Sequence, residues 1–179
     1  YHAVKAIRAC DNEGEIDVYS NTSRAPYNPM LTTYYAFGKL EFDGLFPFGD
    51  LDQIRKEISF HLIQEPVIRV HAKEHLVETK QQTKQYDRIL IATGARAFAP
   101  PVKGLDPEDA FLMRTVEDSI RFKERLKQNN VRYAVVIGAS MAGIKVVEVL
   151  HKFGIETWLL DLASYIFPLA AYKEVAEEI

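Results

Sequence analysis

The sequence has few of the features that mark secreted, membrane-spanning or nucleic-acid-binding proteins. Among its 179 residues there is one cysteine, Cys10, which excludes an intrachain disulfide and fits a reducing compartment. No apolar run is long enough to cross a bilayer. The net charge is only −3, and no basic stripe indicates a nucleic-acid surface. We therefore expect a cytoplasmic protein without a nucleic-acid or membrane partner.

The composition is that of a soluble globular protein, with 47% hydrophobic and 26% charged residues. The chain begins at Tyr1 in a helical pattern that lacks an N-cap. It ends in a second helical pattern, Lys173–Ile179, that lacks Gly, Asn or Pro. From these two ends we expect a piece of a longer protein.

The first half of the chain alternates between short strands and helices. Ile16 and Val18 alternate with polar neighbours, as in a half-buried strand. Asp50 is placed to cap a helix, and Gln53 completes a capping box. The apolar spacing predicts that this helix continues through Leu62.

Further strands and a domain boundary are expected after that helix. Two short strands are predicted around Val67–Val70 and His75–Thr79, followed by a turn or loop at Lys80–Lys84. The continuous apolar run Arg88–Ala92 predicts a strand buried on both faces of a sheet. Prolines and a glycine then break regular structure, and we place the domain boundary at Pro107. The aromatic stretch Tyr34–Phe48, interrupted by glycines, is expected to be irregular.

The second half has the order helix, strand, glycine turn, helix, strand. Thr115 is expected to cap the first of these helices. The strands are predicted at Tyr133–Ile137 and Ile155–Leu160, with a helix at Met141–Phe153 between them. Together the two halves predict an α/β fold with two Rossmann-like units built on parallel sheets, both incomplete.

The turn between the last two elements has dinucleotide-binding spacing. Gly138, Ala139, Ser140, Met141, Ala142 and Gly143 follow the G-x-G-x-x-G pattern, with Ser at the middle glycine. The first glycine permits a tight turn, and the third permits close packing of helix on sheet. The helix N-terminus then offers N–H groups to a diphosphate. The alternative is a helix–strand unit whose glycines serve packing alone.

Asp161 follows the next strand, 23 positions after Gly138. An acidic residue at about this distance accepts hydrogen bonds from the adenosine ribose, and its charge favours NAD over NADP. The alternative is a solvated strand end.

Three segments resemble the FAD- and NAD(P)-dependent pyridine nucleotide oxidoreductases. They are Ser23–Asn28 after the first strand, Tyr86–Ala95 with its Ala-Thr-Gly, and the Gly138–Gly143 turn. The first segment is most similar to the rubredoxin reductase and nitrite reductase branch. The resemblance implies that residues 1–107 form most of an FAD-binding domain, whose first strand and glycine-rich loop would precede Tyr1. It implies that residues 108–179 begin an NAD(P)-binding domain.

The resemblance also implies flavin-binding residues in the first domain. Ser20, or its neighbour Asn21, stands where the family often has an acid for the FAD ribose. Arg24 is expected to contact a flavin phosphate or coat the surface, and Pro26 and Tyr27 to pack on the cofactor or shape a turn. The remaining candidates are the consecutive residues Ala92, Thr93 and Gly94, at a sheet edge or in a plain turn.

Other residues carry less of the functional hypothesis. Family members that use a disulfide have a cysteine near the flavin, but residues 28–35 contain none, and Cys10 is expected to be a small core residue. Trp158 is also expected in the core. His71 and His75 are assigned to strands without a third ligand, so no metal is predicted. Lys145 is either a solvated helix residue or a neighbour of the nicotinamide.

The leading hypothesis is a flavoprotein oxidoreductase that passes electrons from NAD(P)H, preferably NADH, through FAD to an acceptor. The acceptor would be a small redox protein or a small molecule, and a homodimer is compatible with the resemblance. One alternative is a relative of NADH oxidases and coenzyme-A-disulfide reductases that lacks the redox cysteine. Another is a non-catalytic nucleotide-binding module.

Overall fold

The computed structural model describes residues 1–106 and 110–178. The helices are α1 (His2–Arg8), α2 (Thr32–Phe37), α3 (Leu51–Glu57), α4 (Val116–Lys127), α5 (Met141–Lys152) and α6 (Lys173–Ala176). The strands are β1 (Asp17–Tyr19), β2 (His61–Ile63), β3 (Arg69–His71), β4 (Leu76–Glu78), β5 (Thr83–Gln85), β6 (Tyr133–Ile137) and β7 (Glu156–Leu160). Short 3₁₀ helices at Pro29–Leu31 and Phe42–Leu45 flank α2.

The chain forms two compact units whose limits differ from the predicted boundary at residue 107. The first unit consists of Tyr1–Tyr27 and Phe46–Ala95, and the second of Asn28–Leu45 and Arg96–Ile179. The segment 28–45 belongs to the second unit because α2 packs against α4 and α5. Pro107 itself lies outside the described residues, and the assignment of one cofactor to each domain stays a prediction.

The first unit contains a parallel pair of strands and an antiparallel sheet. β1 and β2 run parallel, with Tyr19 opposite Ile63 at their carboxyl ends. β3, β4 and β5 form the antiparallel sheet, which confirms the two strands expected at residues 67–79. The predicted loop at Lys80–Lys84 is shorter than expected, because β5 begins at Thr83.

The helix α3 begins as the sequence predicts and ends earlier. Asp50 accepts a hydrogen bond from the Gln53 N–H, and the Gln53 side chain accepts one from the Asp50 N–H, so the capping box is confirmed. Ile58 has an extended backbone and ends the helix. Leu62, predicted to lie on the same helix, is in β2 instead, since the chain turns there to pair with β1.

The predicted buried strand at Arg88–Ala92 is wrong. Within the described residues this segment has no regular secondary structure, and Leu90 and Ile91 are 68% and 65% exposed. A strand buried on both faces needs a hydrogen-bonded neighbour on each side. No strand of the described residues pairs with this one.

The second unit has the predicted strand–turn–helix–strand order. β6 and β7 are parallel over their full lengths, and α5 connects them. Thr115 caps α4 through the N–H of Asp118, as predicted. The core of this unit is apolar and comprises Ala36, Phe122, Leu126, Val136, Val149, Leu150 and Ile155. The α/β class with parallel strand pairs is thereby confirmed.

Three local expectations are corrected by the structure. The stretch Tyr34–Phe48 is partly regular, because Ala36 is 1% exposed in the core and holds α2 against its neighbours. Trp158 is 48% exposed instead of buried, since burial alternates along β7 and its ring lies on the open face beside Tyr133. Cys10 is exposed as well, because it follows the end of α1. No helix within the described residues is long and apolar enough to cross a membrane.

Candidate functional site

The turn between β6 and α5 depends on its two outer glycines. Gly138 has φ +106°, a backbone conformation that side chains other than glycine rarely adopt. Gly143 faces the carbonyl oxygen of Gly138 so closely that an added Cβ would overlap it. The geometry therefore favours glycine at both outer positions, while Ala139 between them is buried at 2% exposure. The helix therefore packs closely against the end of β6 at this turn.

Ser140 is compatible with the turn although glycine is usual there. Its φ of −77° is an ordinary extended conformation, and it is the N-cap of α5. The Ser140 Oγ accepts a hydrogen bond from the Gly143 N–H at 3.4 Å. Met141 and Ala142 lie in the first turn of α5, where backbone N–H groups have no carbonyl partner within the helix. These N–H groups and the helix dipole can bind an anion.

Asp161 is brought directly to the turn. Its Oδ2 accepts a hydrogen bond from the Ala139 N–H at 2.6 Å, and its Oδ1 accepts one from the Ala163 N–H at 2.8 Å. The hydrogen bond from Ala139, followed by that from Ala163, holds the pKa of Asp161 below its usual value. Phe167 donates its N–H to the Ala139 oxygen at 2.8 Å. The loop after β7 therefore binds both the N–H and the carbonyl oxygen of Ala139, which the spacing alone did not predict.

Lys145 forms an ion pair within the second unit, and a position beside the nicotinamide stays a prediction. Its Nζ lies 2.7 Å from Glu148, which is also 3.1 Å from Lys39. The three side chains lie beside Tyr34 and Phe37 in a shallow pocket of the second unit. The Lys145 charge is thus neutralised locally and remains partly exposed.

In the first unit the predicted residues after β1 form a folded loop. The Ser20 N–H donates to the Ile63 oxygen at 3.0 Å, which extends the parallel pair by one residue. The Ser20 Oγ accepts from the Thr22 N–H, and the Thr22 Oγ1 accepts from the Arg24 N–H, both at 3.2 Å. Pro26 and Tyr27 continue this loop and are half-buried. The Tyr27 ring packs edge-on against Phe46.

The structure does not place Ala92, Thr93 and Gly94 at the end of a strand. They are exposed and have no regular secondary structure. Gly94 has φ +70°, so the backbone there favours glycine. A role for these three residues in flavin binding stays a prediction.

A buried carboxylate joins the two sheets of the first unit. The Asp17 side chain is 2% exposed and accepts hydrogen bonds from Tyr86 at 2.6 Å, Lys84 at 2.7 Å and His61 at 3.2 Å. Burial opposes ionisation of Asp17, but the bonds from Lys84 and Tyr86 outweigh it and hold its pKa below the usual value. Burial, and then the bond to Asp17, raise the pKa of Tyr86. Sequence reasoning missed this group because its members are far apart in the chain.

The histidines considered as a metal pair have other neighbours. His71 lies 3.1 Å from Glu78, its near neighbour across the hairpin. His75 is in the turn before β4 with φ 54°. The described residues contain no group of three or more side chains suited to hold a metal ion.

Glu65 is a further residue that the sequence reasoning missed. It lies two residues after β2, and its Oε2 is shielded from solvent without a hydrogen-bond partner among the described residues. The signal for Glu65 is an acid just past β2, but the apolar spacing predicts that a helix continues through Leu62 and so conceals this strand.

The whole chain, residues 1–179, matches the pyridine nucleotide-disulphide oxidoreductase family. The chain belongs to this family. Members bind FAD together with NADH or NADPH. The resemblance inferred from the three sequence segments is thereby confirmed.

Two curated relatives illustrate the range of the family. The epsilon subunit of NADH-dependent phenylglyoxylate dehydrogenase from Aromatoleum evansii is 27% identical over 163 residues, covering 90% of this chain and 38% of that protein. The large subunit of nitrite reductase (NADH) from Escherichia coli is 28% identical over 151 residues, covering 83% and 17%. The chain thus spans less than half the length of these relatives.

Solved structures establish the fold. The water-forming NADH oxidase from Lactobacillus brevis bound to NADH has a TM-score of 0.83 at 21% identity, covering 98% of this chain and 41% of that one. An engineered NADPH oxidase made from it, bound to NADPH, gives a TM-score of 0.83 at 19% identity with the same coverage.

Proposed function

We propose that the protein is a flavoprotein oxidoreductase that passes electrons from NADH through FAD to a small redox protein or small molecule. The observation that carries this proposal is the turn at Gly138–Gly143, where the helix approaches the strand so closely that an added Cβ at residue 143 would overlap the Gly138 carbonyl oxygen. We assign the diphosphate of the nicotinamide nucleotide to the backbone N–H groups of Met141 and Ala142 in the first turn of α5. Membership in the family supports the redox class.

The preference for NADH is proposed from Asp161. A carboxylate beside the adenosine ribose repels the additional phosphate of NADPH. The engineered NADPH oxidase carries substitutions at a Gly, an Asp and a Pro, among others. Their spacing is that of Gly143, Asp161 and Pro168 in this chain. This correspondence supports the assignment of Asp161 to nucleotide discrimination.

On the flavin side we assign binding to the carboxyl edge of β1 and β2. Ser20, Arg24, Pro26 and Tyr27 lie in the loop that leaves this edge. Held at this edge, FAD would supply the acceptor for a hydride from the nicotinamide and the donor of electrons to the final acceptor. The residues of the chain bind and orient the cofactor and exclude water from it. A cytoplasmic location stays a prediction from the sequence, and a homodimer stays an implication of the family resemblance.

The relatives that act through a disulfide offer a less favoured alternative. Residues 28–35 contain no cysteine, and Cys10 lies after α1, where it is exposed. We therefore assign electron transfer to the flavin alone. A disulfide substrate reduced with NADH at the rate of other acceptors would contradict this assignment.

The visible absorption spectrum of the purified full-length protein tests the proposal. Yellow flavin bands, with FAD released on denaturation, are expected. The matched measurement is a calorimetric titration with NADH and NADPH, in which NADH binds more tightly. A colourless protein that cannot be reconstituted with FAD, but still binds NADH, would instead identify a non-catalytic nucleotide-binding module.

A further inference from the structure

The carboxyl edge of the β1–β2 pair contains an unsatisfied acid. β1 ends at Tyr19 and β2 at Ile63, and the two residues are paired. Glu65 follows two residues after this shared edge. In open α/β sheets, ligands bind in the crevice outside the carboxyl ends of the strands. Glu65 is therefore in the part of the first unit where a ligand is expected.

The Glu65 Oε2 has no hydrogen-bond partner among the described residues, although it is buried from solvent. A buried acceptor without a partner is costly, and most such atoms in proteins are satisfied. Two other carboxylates of the protein differ from Glu65, because each of their oxygens has a hydrogen-bond donor. Both oxygens of Asp161 accept backbone N–H groups, and both oxygens of Asp17 accept side-chain donors. The open acceptor at Glu65 is thus available for a donor that the chain does not supply.

The Ser20 hydroxyl is less suited than a carboxylate to accept hydrogen bonds from a ligand. Its Oγ already accepts the Thr22 N–H at 3.2 Å, which folds the loop after β1. A hydroxyl has a single proton and two lone pairs, whereas an ionised carboxylate has only acceptors. The two neighbouring hydroxyls of a ribose are donors, and a carboxylate can accept from both.

We infer that Glu65 is the carboxylate that accepts the hydroxyl groups of the adenosine ribose of FAD at the β1–β2 edge. This inference rests on the proposed function, since it takes FAD as the ligand of the first unit. Glu65 follows the second strand of the pair, whereas the sequence analysis points to Ser20, which follows the first.

The test compares FAD with FMN, which lacks the adenosine half. Dissociation constants of both flavins are measured by fluorescence quenching on the full-length apoprotein. Glu65→Gln keeps the shape of the side chain and removes its charge. It is expected to weaken FAD binding by about tenfold, as for loss of a charge-assisted hydrogen bond, and to leave FMN binding unchanged. Glu74→Gln, at an exposed glutamate of the same unit, is the control and is expected to change neither.

A second measurement can be made on the wild-type protein, so that it does not depend on whether the variant folds. The wild-type protein is titrated with an FAD analogue that lacks the adenosine 2′-hydroxyl, and about tenfold weaker binding than FAD is expected. Glu65→Gln is expected to bind FAD and the analogue equally.

Three results would overturn the inference. They are equal FAD affinity of Glu65→Gln and wild type, equal loss of FAD and FMN in that variant, or equal affinity of the wild type for FAD and the analogue. Each of these leaves FAD binding by the wild type intact, and with it the proposed function. A wild-type protein that binds neither flavin would overturn both.

Discussion

Gly143 packs against the carbonyl oxygen of Gly138, and even a methyl group at residue 143 would overlap that oxygen. We predict that Gly143→Ala lowers the free energy of unfolding by about 1–3 kcal/mol, as overpacking does. It also displaces the turn, so that NADH affinity falls. Gly154→Ala is the control, because Gly154 has φ +69° but open space around it. That variant is expected to lose stability without losing NADH affinity, as measured by urea unfolding and calorimetry. NADH binding by Gly143→Ala at the wild-type level would contradict the assignment.

The contact between Asp161 and the Ala139 N–H predicts a change in nucleotide preference. Asp161→Ala removes the negative charge beside the proposed ribose site, so the ratio of NADPH to NADH affinity is expected to rise by about tenfold. Glu156→Gln, at the other end of β7, removes a charge of the same sign and is expected to leave the ratio unchanged. An unchanged ratio in Asp161→Ala would remove this residue from nucleotide discrimination.

The lowered pKa of Asp17 predicts that the free energy of unfolding depends on pH. Its pKa is lower in the folded protein than its usual value of 3.8, so the folded state binds the proton less readily than the unfolded chain. The contribution of Asp17 to stability is therefore fully present above about pH 4 and is lost as pH falls through the folded-state pKa. Urea unfolding between neutral and acidic pH is expected to show a steeper loss for wild type than for Asp17→Asn. Parallel pH profiles of the two proteins would rule out this role.

Of the two tyrosines near Asp17, Tyr86 is predicted to contribute more to the free energy of unfolding. Its hydroxyl lies 2.6 Å from Asp17 and 2.7 Å from the Tyr19 hydroxyl, whereas Tyr19 does not bond the carboxylate. Tyr86→Phe is expected to cost about 1–3 kcal/mol of unfolding free energy, because it removes a bond to a buried charge. Tyr19→Phe is the matched control, with a smaller expected loss in the same denaturant titration. A larger loss in Tyr19→Phe would contradict the arrangement.

The elements that sequence analysis predicted are those whose signals are local. The capping box of Asp50 and Gln53 and the cap at Thr115 depend on residues three positions apart. The turn Gly138–Gly143 with its flanking strands follows from the same kind of nearby pattern. Asp161 was found from its spacing, but its bond to Ala139 was not, because spacing does not fix a side-chain partner.

The features that sequence analysis did not predict depend on contacts between distant parts of the chain. The apolar run Arg88–Ala92 indicates a buried strand only where partner strands flank it. The segment 28–45 joins the second unit because Ala36 packs into a core formed by α4 and α5. Glu65 was overlooked because the periodicity of α3 runs on into β2 by chance, which concealed the edge where it lies.

The central claim is electron transfer from NADH to a flavin held by this protein, and anaerobic titration with NADH tests it most directly. The purified full-length protein, reconstituted with FAD, is followed by visible absorption as NADH is added. We predict stoichiometric bleaching of the oxidised flavin bands with NADH, and much slower bleaching with NADPH. Flavin bands that persist in excess NADH would contradict the account.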